Sequence, residues 1–297
     1  MTVYRGRFAP TPSGPLHFGS IVAAAGSYLE ARRHRGEWHL RIDDLDPPRV
    51  APGATDSILR CLEQLGLHWD AAVVYQSRRA PAYHAALHQL RQRGVVYPCA
   101  CSRKEIAEHA QAGVKGPIYA GTCRGGMPAG REARAWRLRT AGAAVQFDDA
   151  VLGPQAHDLE RDAGDFVLYR ADGVFAFHLA SAVDDGELRM TDIVRGADLL
   201  ESSARQIHVL GLLGLPVPRY AHLPVAVNAQ GEKLSKQTSA EPIDPSEPGR
   251  VLVRVLRFLG QSPPDGLARA GTLEVWRWAI ANWQLGRVPR AGVLPGG

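Results

Sequence analysis

His17-Phe18-Gly19-Ser20 and Lys233-Leu234-Ser235-Lys236-Gln237 are the two stretches whose residue types suit the handling of a triphosphate. The first sits where a helix should open after a strand and a Pro/Gly turn. N–H groups at a helix start attract phosphate, and Gly19 has no side chain to block a purine. The His17 imidazole can donate to a phosphate oxygen. The second stretch sets two ammonium groups, Lys233 and Lys236, beside the Ser235 hydroxyl on a loop that follows Asn228-Ala229-Gln230-Gly231. Such a loop can close over the phosphates and neutralise the charge that grows as pyrophosphate leaves. Singly, each stretch has a plainer reading, since a His-x-Gly-x at a helix start is usually structural and a lysine-rich loop usually a solvated turn. In this order and context they point to ATP with Mg²⁺. His17, Lys233 and Lys236 are then the catalytic candidates, with Gly19, Ser20 and Ser235 completing the nucleotide site.

A second cluster is Cys99-x-Cys101 followed by Cys123. Zinc takes four ligands in a tetrahedron, and thiolates are good ones. A Cys-x-Cys pair can lie on one turn while Cys123 arrives from a second loop. One ligand is missing, and His109 is a candidate for it by ordinary zinc chemistry. The plainer alternative is three buried or merely reduced cysteines. Cys61, near Leu62 and Leu65 on a helix face, reads as core. Four cysteines in 297 residues are too few for a disulfide framework and imply a reducing compartment, the cytoplasm.

The elements that must position these residues alternate. Val3 to Phe8 reads as a strand, His17 to His34 as a helix with Ile21, Ala24, Ala25, Tyr28 and Leu29 on one face, and Trp38 to Ile42 as a second strand. Ile58, Leu62 and Leu65 mark a helix that Gly66 ends, and Pro81 to Arg93 forms another. From Cys99 to Gly164 glycine and proline are frequent and helical periodicity is short, as in an insertion. Strand-like runs resume at Phe166 to Tyr169 and at Val174 to Ala180. Ile193 to Leu200 and Ala204 to Leu213 follow as strand, turn and helix. Two helices near Arg250 to Leu259 and Thr272 to Trp283 precede a Gly/Pro tail expected to fray. The expected fold is α/β, a Rossmann-like doubly wound parallel sheet with a zinc-containing insertion and a short helical C-terminal region. Its parts are a catalytic first half (1–98), the insertion (99–164), a second half with the lysine loop (165–237) and the helical region (238–297).

A net charge of +5 suits a polyanionic partner but fits a merely basic protein as well. No run reaches the ~18 apolar residues of a membrane span, and the N-terminus has no secretory h-region. No membrane partner is expected, and nothing suggests an obligate dimer, so a monomer is expected.

Arg7-Phe8-Ala9-Pro10-Thr11-Pro12-Ser13-Gly14-Pro15-Leu16-His17-Phe18-Gly19 resembles the opening signature of class I glutamyl-tRNA synthetases. Leu40 to Asp46, Val194 to Asp198 and the lysine stretch resemble three further motifs of that family, in its order. The resemblance covers about residues 5–237 and implies activation of L-glutamate as an adenylate. Too few residues follow Gln237 for the family's anticodon-binding region. That shortness, with Asp46 to Arg49 and the His-Phe-Gly-Ser form, resembles a shorter paralogous group that attaches glutamate to the queuosine base of tRNA(Asp). By position, Arg7 and Arg195 would hold glutamate carboxylates, Arg7, Phe8, Ala9, Pro10 and Thr11 would form the floor, and Asp43, where the family has Glu, would take the α-ammonium. Phe177 stands where the family has Tyr and is expected as a wall. The resemblance makes Tyr119 the fourth zinc ligand beside Cys99, Cys101 and Cys123. Three alternatives remain: a truncated synthetase charging a tRNA 3′ end, a non-catalytic ATP- or RNA-binding relative, and a nucleotidyltransferase.

Other features take plain readings. Arg32-Arg33-His34-Arg35 and Arg78-Arg79 read as solvated faces, Trp276 and Trp278 as packing, and His178 as a satisfied core or strand residue. Asp148-Asp149 and Asp184-Asp185 read as surface acids at strand ends.

Overall fold

A computed structural model of the chain describes residues 3–109, 111–113, 116–228, 230–231 and 243–296. The first half runs β1 (Arg5–Phe8), α1 (Phe18–Arg33), β2 (Glu37–Ile42), α2 (Ala54–Gln64), β3 (Val74–Tyr75) and α3 (Ala80–Gln92). β1, β2 and β3 pair in parallel, an arrangement that needs a crossover between neighbours, and α1 and α2 supply it. β3 has only two residues, too few for a hydrophobic run to announce it.

The middle of the chain contains β4 (Val96–Cys99), α4 (Arg103–His109), β5 (Gln111–Gly113), β6 (Gly116–Ile118), β7 (Ala135–Leu138), β8 (Ala144–Asp149), β9 (Gly153–Asp158), α5 (Leu159–Asp162), β10 (Val167–Tyr169) and α6 (Phe177–Glu187). β7 lies between β4 and β10 in an antiparallel sheet, and β8 and β9 form a hairpin. The run Val174 to Ala180, expected as a strand, instead enters α6 at Phe177. Leu179, Ala180 and Val183 recur at helical spacing and are fully buried, a pattern that a short apolar run does not separate from a strand.

The second half follows as β11 (Asp192–Gly196), α7 (Leu200–Leu213), β12 (Arg219–Leu223), β13 (Val225–Val227), α8 (Pro248–Phe258), α9 (Thr272–Asn282) and β14 (Val293–Pro295). β11 and β12 are parallel, and β12 meets the end of β8 at Tyr220 and Asp149. The halves join where β11 begins beside β1. Arg5 N donates to Thr191 Oγ1 at 2.8 Å, and Thr191 N donates to the Arg5 carbonyl at 2.9 Å. The resulting order, β3-β2-β1-β11-β12, is doubly wound, with its switch point between β1 and β11.

One hydrophobic core spans this junction and includes the C-terminal helices. Ile21, Leu29, Trp38 and Leu40 pack in it with Leu252, Leu256, Trp276 and Trp283. A Cβ added at Gly26 would come within 2.4 Å of Leu223, so α1 rests directly on β12 there. A second core joins α3, α6 and α7 through Tyr83, Leu90, Val183 and Val209. The tail expected to fray does not. β14 pairs in parallel with β13, satisfying a strand edge that would otherwise stand open, and Arg254 Nη2 donates to the Gly296 carbonyl at 2.6 Å. Among the described residues no helix is long and apolar enough to cross a membrane.

Candidate active site

The carboxyl ends of β1 and β11 open onto a cavity of about 370 Å³, where open α/β sheets bind their ligands. Arg7, Phe8, Ala9, Thr11, His17, Gly19, Ser20, Asp43, Phe177 and Arg195 all line it. Pro10 does not. Its carbonyl accepts the Asp43 N–H at 3.0 Å and so fixes the end of β2 beneath the cavity. Lys233, Ser235 and Lys236 lie outside the described residues.

His17 is the N-cap of α1 and not its first helical residue, with its carbonyl accepting Ser20 N and Ile21 N at 2.9 and 3.1 Å. No side chain caps this helix start, and its first turn holds no acid. The positive end of the α1 dipole is therefore uncompensated where Gly19 and Ser20 border the cavity.

The cavity wall is a lattice of buried charges. Arg7 Nε and Nη2 donate to Asp185 Oδ1 and Oδ2 at 3.1 and 2.9 Å. Arg41 Nη1 donates to the same Asp185 Oδ1 at 2.7 Å, and its Nε donates to Asp43 Oδ1 at 2.6 Å. Burial alone would raise the Asp185 carboxyl, but Arg7 and Arg41 overcome it and hold it at about 2. Burial raises the Asp43 carboxyl despite the Arg41 contact. Asp184 Oδ2 lies 3.6 Å from Arg41 Nε, and the carboxylate accepts Arg79 Nε at 2.6 Å, Gln76 Nε2 at 2.7 Å and Tyr83 Oη at 3.0 Å.

Arg195 differs. Its Nη2 donates to Ser203 Oγ and Gln206 Oε1, both at 2.7 Å, and among the described residues no carboxylate pairs with it. Burial pushes this guanidinium down to about 10, with Arg7 and Arg41 adding like-charge pressure. Arg7 and Arg41 are thus paired with Asp43 and Asp185, and Arg79 with Asp184 and Glu187, while Arg195 is held by neutral acceptors.

Sequence reasoning missed Arg41, Asp184 and Asp185 and took the acid pair for surface. A usable signal was present: Asp184-Asp185 follows Leu179 to Val183 without a break, and an acid inside an apolar helical run must be paired. Arg79, read as solvated, is tied to Asp184 and Glu187. His178, on helix α6, is kept neutral by burial and nearby Arg205, which push it down to about 3. Its Nε2 accepts Arg205 Nη1 at 3.4 Å.

Away from the cavity, the Cys99, Cys101 and Cys123 sulfurs all lie within 4.8 Å of one another and could hold a metal ion. Cys101 and Cys123 Sγ are 3.6 Å apart, close to the ~3.8 Å edge of a tetrahedron with ~2.3 Å zinc–sulfur bonds. Tyr119 Oη stands 3.4 Å from Cys99 Sγ and 3.5 Å from Cys101 Sγ, and accepts Cys123 N at 2.8 Å. His109 is exposed on α4, its Nδ1 against the Glu105 carbonyl at 3.0 Å, and is no part of the cluster.

The family described as tRNA synthetases class I (E and Q), catalytic domain, matches residues 3–265. The chain belongs to this family. By that membership it is a ligase. Among its relatives, the glutamyl-Q tRNA(Asp) synthetase of Aromatoleum aromaticum is 55% identical over 287 residues, 97% of this chain and 91% of the relative. The protein of the same name from Chromobacterium violaceum is 56% identical over 293 residues, 98% and 97% of the two chains. Among solved structures, the glutamate-tRNA synthetase of Elizabethkingia anophelis superposes with a TM-score of 0.81 at 25% identity. That match covers 98% of this chain and 68% of the other. The family's catalytic domain accounts for the doubly wound sheet and for the cavity at its switch point.

Proposed function

We infer that this chain activates L-glutamate with ATP and transfers the glutamyl group to the queuosine base of tRNA(Asp), the activity named in its relatives. The observation that carries the reading is Arg195, a buried guanidinium held among the described residues by neutral acceptors, sharing one cavity with the N-terminus of α1. The α-carboxylate of glutamate attacks the α-phosphorus of ATP and pyrophosphate leaves. The carboxylate is already ionised, so no general base is needed, and positioning with charge neutralisation does the work. Arg7 and Arg195 hold the carboxylates, Phe8, Ala9, Pro10 and Thr11 form the floor, Asp43 takes the α-ammonium and Phe177 walls the pocket. His17, Gly19 and Ser20, with Lys233, Ser235 and Lys236 from the lysine stretch, hold ATP, which Mg²⁺ accompanies. A ring hydroxyl of queuosine, presented by the single-stranded anticodon loop, then bonds to the carbonyl carbon, and AMP leaves.

Cys99, Cys101, Cys123 and Tyr119 suit one structural Zn²⁺, which would cross-link the loops that carry them. Buried Arg137 stacks over Tyr119 at 3.9 Å, so it offsets one of three thiolates and a divalent ion offsets the other two. We read the chain as catalytic halves 1–98 and 165–237 around the insertion 99–164, followed by the helical region 238–297. It acts in the cytoplasm as a monomer.

The test is twofold. Labelled pyrophosphate should exchange into ATP when glutamate is supplied, and glutamate should attach to tRNA(Asp) that contains queuosine but not to tRNA(Asp) that lacks it. Equal charging of both would favour a truncated synthetase acting at the 3′ end, and absence of exchange a non-catalytic relative.

A further inference from the structure

Behind Arg195 lies a buried chain of polar groups that takes no part in the steps above. Asp149 ends β8, His222 lies on β12, and Ser203 and Gln206 lie on α7. All four are buried, His222 and Ser203 completely. Asp149 Oδ2 is 2.6 Å from His222 Nδ1, while its Oδ1 accepts the backbone N–H of His222, Val151 and Leu152 at 3.1, 3.0 and 2.8 Å. A carboxylate so fully supplied with donors stays ionised, and burial would otherwise raise it, so the proton of the imidazole belongs on Nδ1. Burial keeps the ring neutral. His222 Nε2 is therefore an acceptor. It lies 2.8 Å from Ser203 Oγ and 3.5 Å from Arg195 Nε. Of the two acceptors facing the Ser203 hydroxyl, His222 Nε2 at 2.8 Å is nearer than the Leu199 carbonyl at 3.2 Å, so the proton is directed to His222 and a lone pair turns toward Arg195 Nη2.

The order Asp149, His222, Ser203, Arg195 is thus a relay in which each group sets the donor or acceptor sense of the next. An aspartate placed directly against Arg195 would orient it equally well but would cancel the charge a substrate carboxylate needs. The two intervening groups, His222 and Ser203, orient the guanidinium with neutral acceptors and keep the anionic end of the relay away from it.

We propose that His222, oriented by Asp149 and acting through Ser203, is a positioning residue for Arg195, aiming the rest of its guanidinium at a carboxylate of the amino-acid substrate. The proposal rests on the reading of Arg195 given above. Its failure can be told from the failure of that reading by three variants, compared in pyrophosphate exchange with glutamate and ATP varied in turn. Asp149→Asn keeps the shape but donates to Nδ1, which moves the imidazole proton to Nε2 and turns an acceptor into a donor facing Ser203 and Arg195. Ser203→Ala removes the middle link with the loss of a single oxygen. Arg195→Ala is the reference. We expect KM for glutamate to rise about tenfold in Asp149→Asn and Ser203→Ala and about a hundredfold in Arg195→Ala, with KM for ATP within about twofold in all three. If Arg195→Ala shows the selective rise and Ser203→Ala leaves KM for glutamate unchanged, the relay is packing only and the proposal is overturned. If Arg195→Ala weakens glutamate and ATP alike, the substrate reading fails and takes the relay with it. Should Asp149→Asn not fold, Ser203→Ala decides, with a thermal melt confirming that its fold is intact.

Discussion

The arginines of the cavity and the cysteines of the middle segment are both buried clusters of like groups, and they resolve their crowding in opposite ways. Arg7 and Arg41 receive counter-charges from the chain itself, in Asp43 and the shared Asp185. Cys99, Cys101 and Cys123 converge with Arg137 and a phenol beside them and Arg131 nearby, and on our reading a metal ion from solution completes their balance. The first cluster can be complete as soon as the polypeptide folds. On the reading proposed above, the second waits on a metal supply, and the difference would separate a pocket built for recognition from a staple built for shape.

The contrast is broken most directly at the thiols. A strong chelator should lower local stability around β4 and residues 119–123 by about 5 kcal/mol, a fraction of the ~10 kcal/mol or more that zinc contributes in small peptides. Amide hydrogen exchange there should accelerate more than a thousandfold while α1 and β11 stay protected. Unchanged exchange would mean that the thiols are merely buried. At the other cluster, Asp185→Asn leaves Arg7 and Arg41 short of a buried anion and should cost about 4 kcal/mol in denaturant unfolding. A loss below about 1 kcal/mol would show that Asp43 suffices for both.

A smaller effect comes with acid. Because the Asp185 carboxyl is held at about 2 in the folded chain, below its unfolded value near 4, its contribution is complete above about pH 4. That contribution, about 2 kcal/mol, drains away as pH falls toward 2, and the corresponding part of the acid slope should vanish in Asp185→Asn. Smallest of all, His109→Ala should change stability by less than about 0.5 kcal/mol and leave bound zinc at one per chain, since its ring is exposed and outside the cluster. Loss of metal in that variant would return the histidine to the ligand set.

The alternation of strands and helices was legible because α2 carries a clear hydrophobic period and α1 is a long apolar run rich in helix-forming alanine between two short strands. The residues that line the cavity near β1 and β11, Arg7, Asp43 and Arg195 among them, were legible through the family resemblance of their motifs and not from their types alone. Where local pattern was ambiguous, it failed. Phe177 to Ala180 offers an apolar run too short to tell a helix from a strand. Val293 to Pro295 has turn-like composition and becomes a strand only because β13 needs a partner. The acid pairs were the most instructive loss. Asp149 and Asp185 look like surface residues until their partners arrive, and His222 is 73 residues from Asp149 along the chain, Arg7 178 residues from Asp185. Pairings of that range leave no local trace beyond a charge in apolar company.

One packing arrangement also bears on how the protein is made. Trp276 Nε1 donates to the Leu65 carbonyl at 2.7 Å, and Trp283 Nε1 donates to Glu30, so side chains near the end of the polypeptide roof over its earliest helices. On the ribosome, α1 and α2 stay unroofed until these tryptophans emerge, on the order of ten seconds later. Throughout that interval the nascent chain exposes an apolar face that chaperones would recognise.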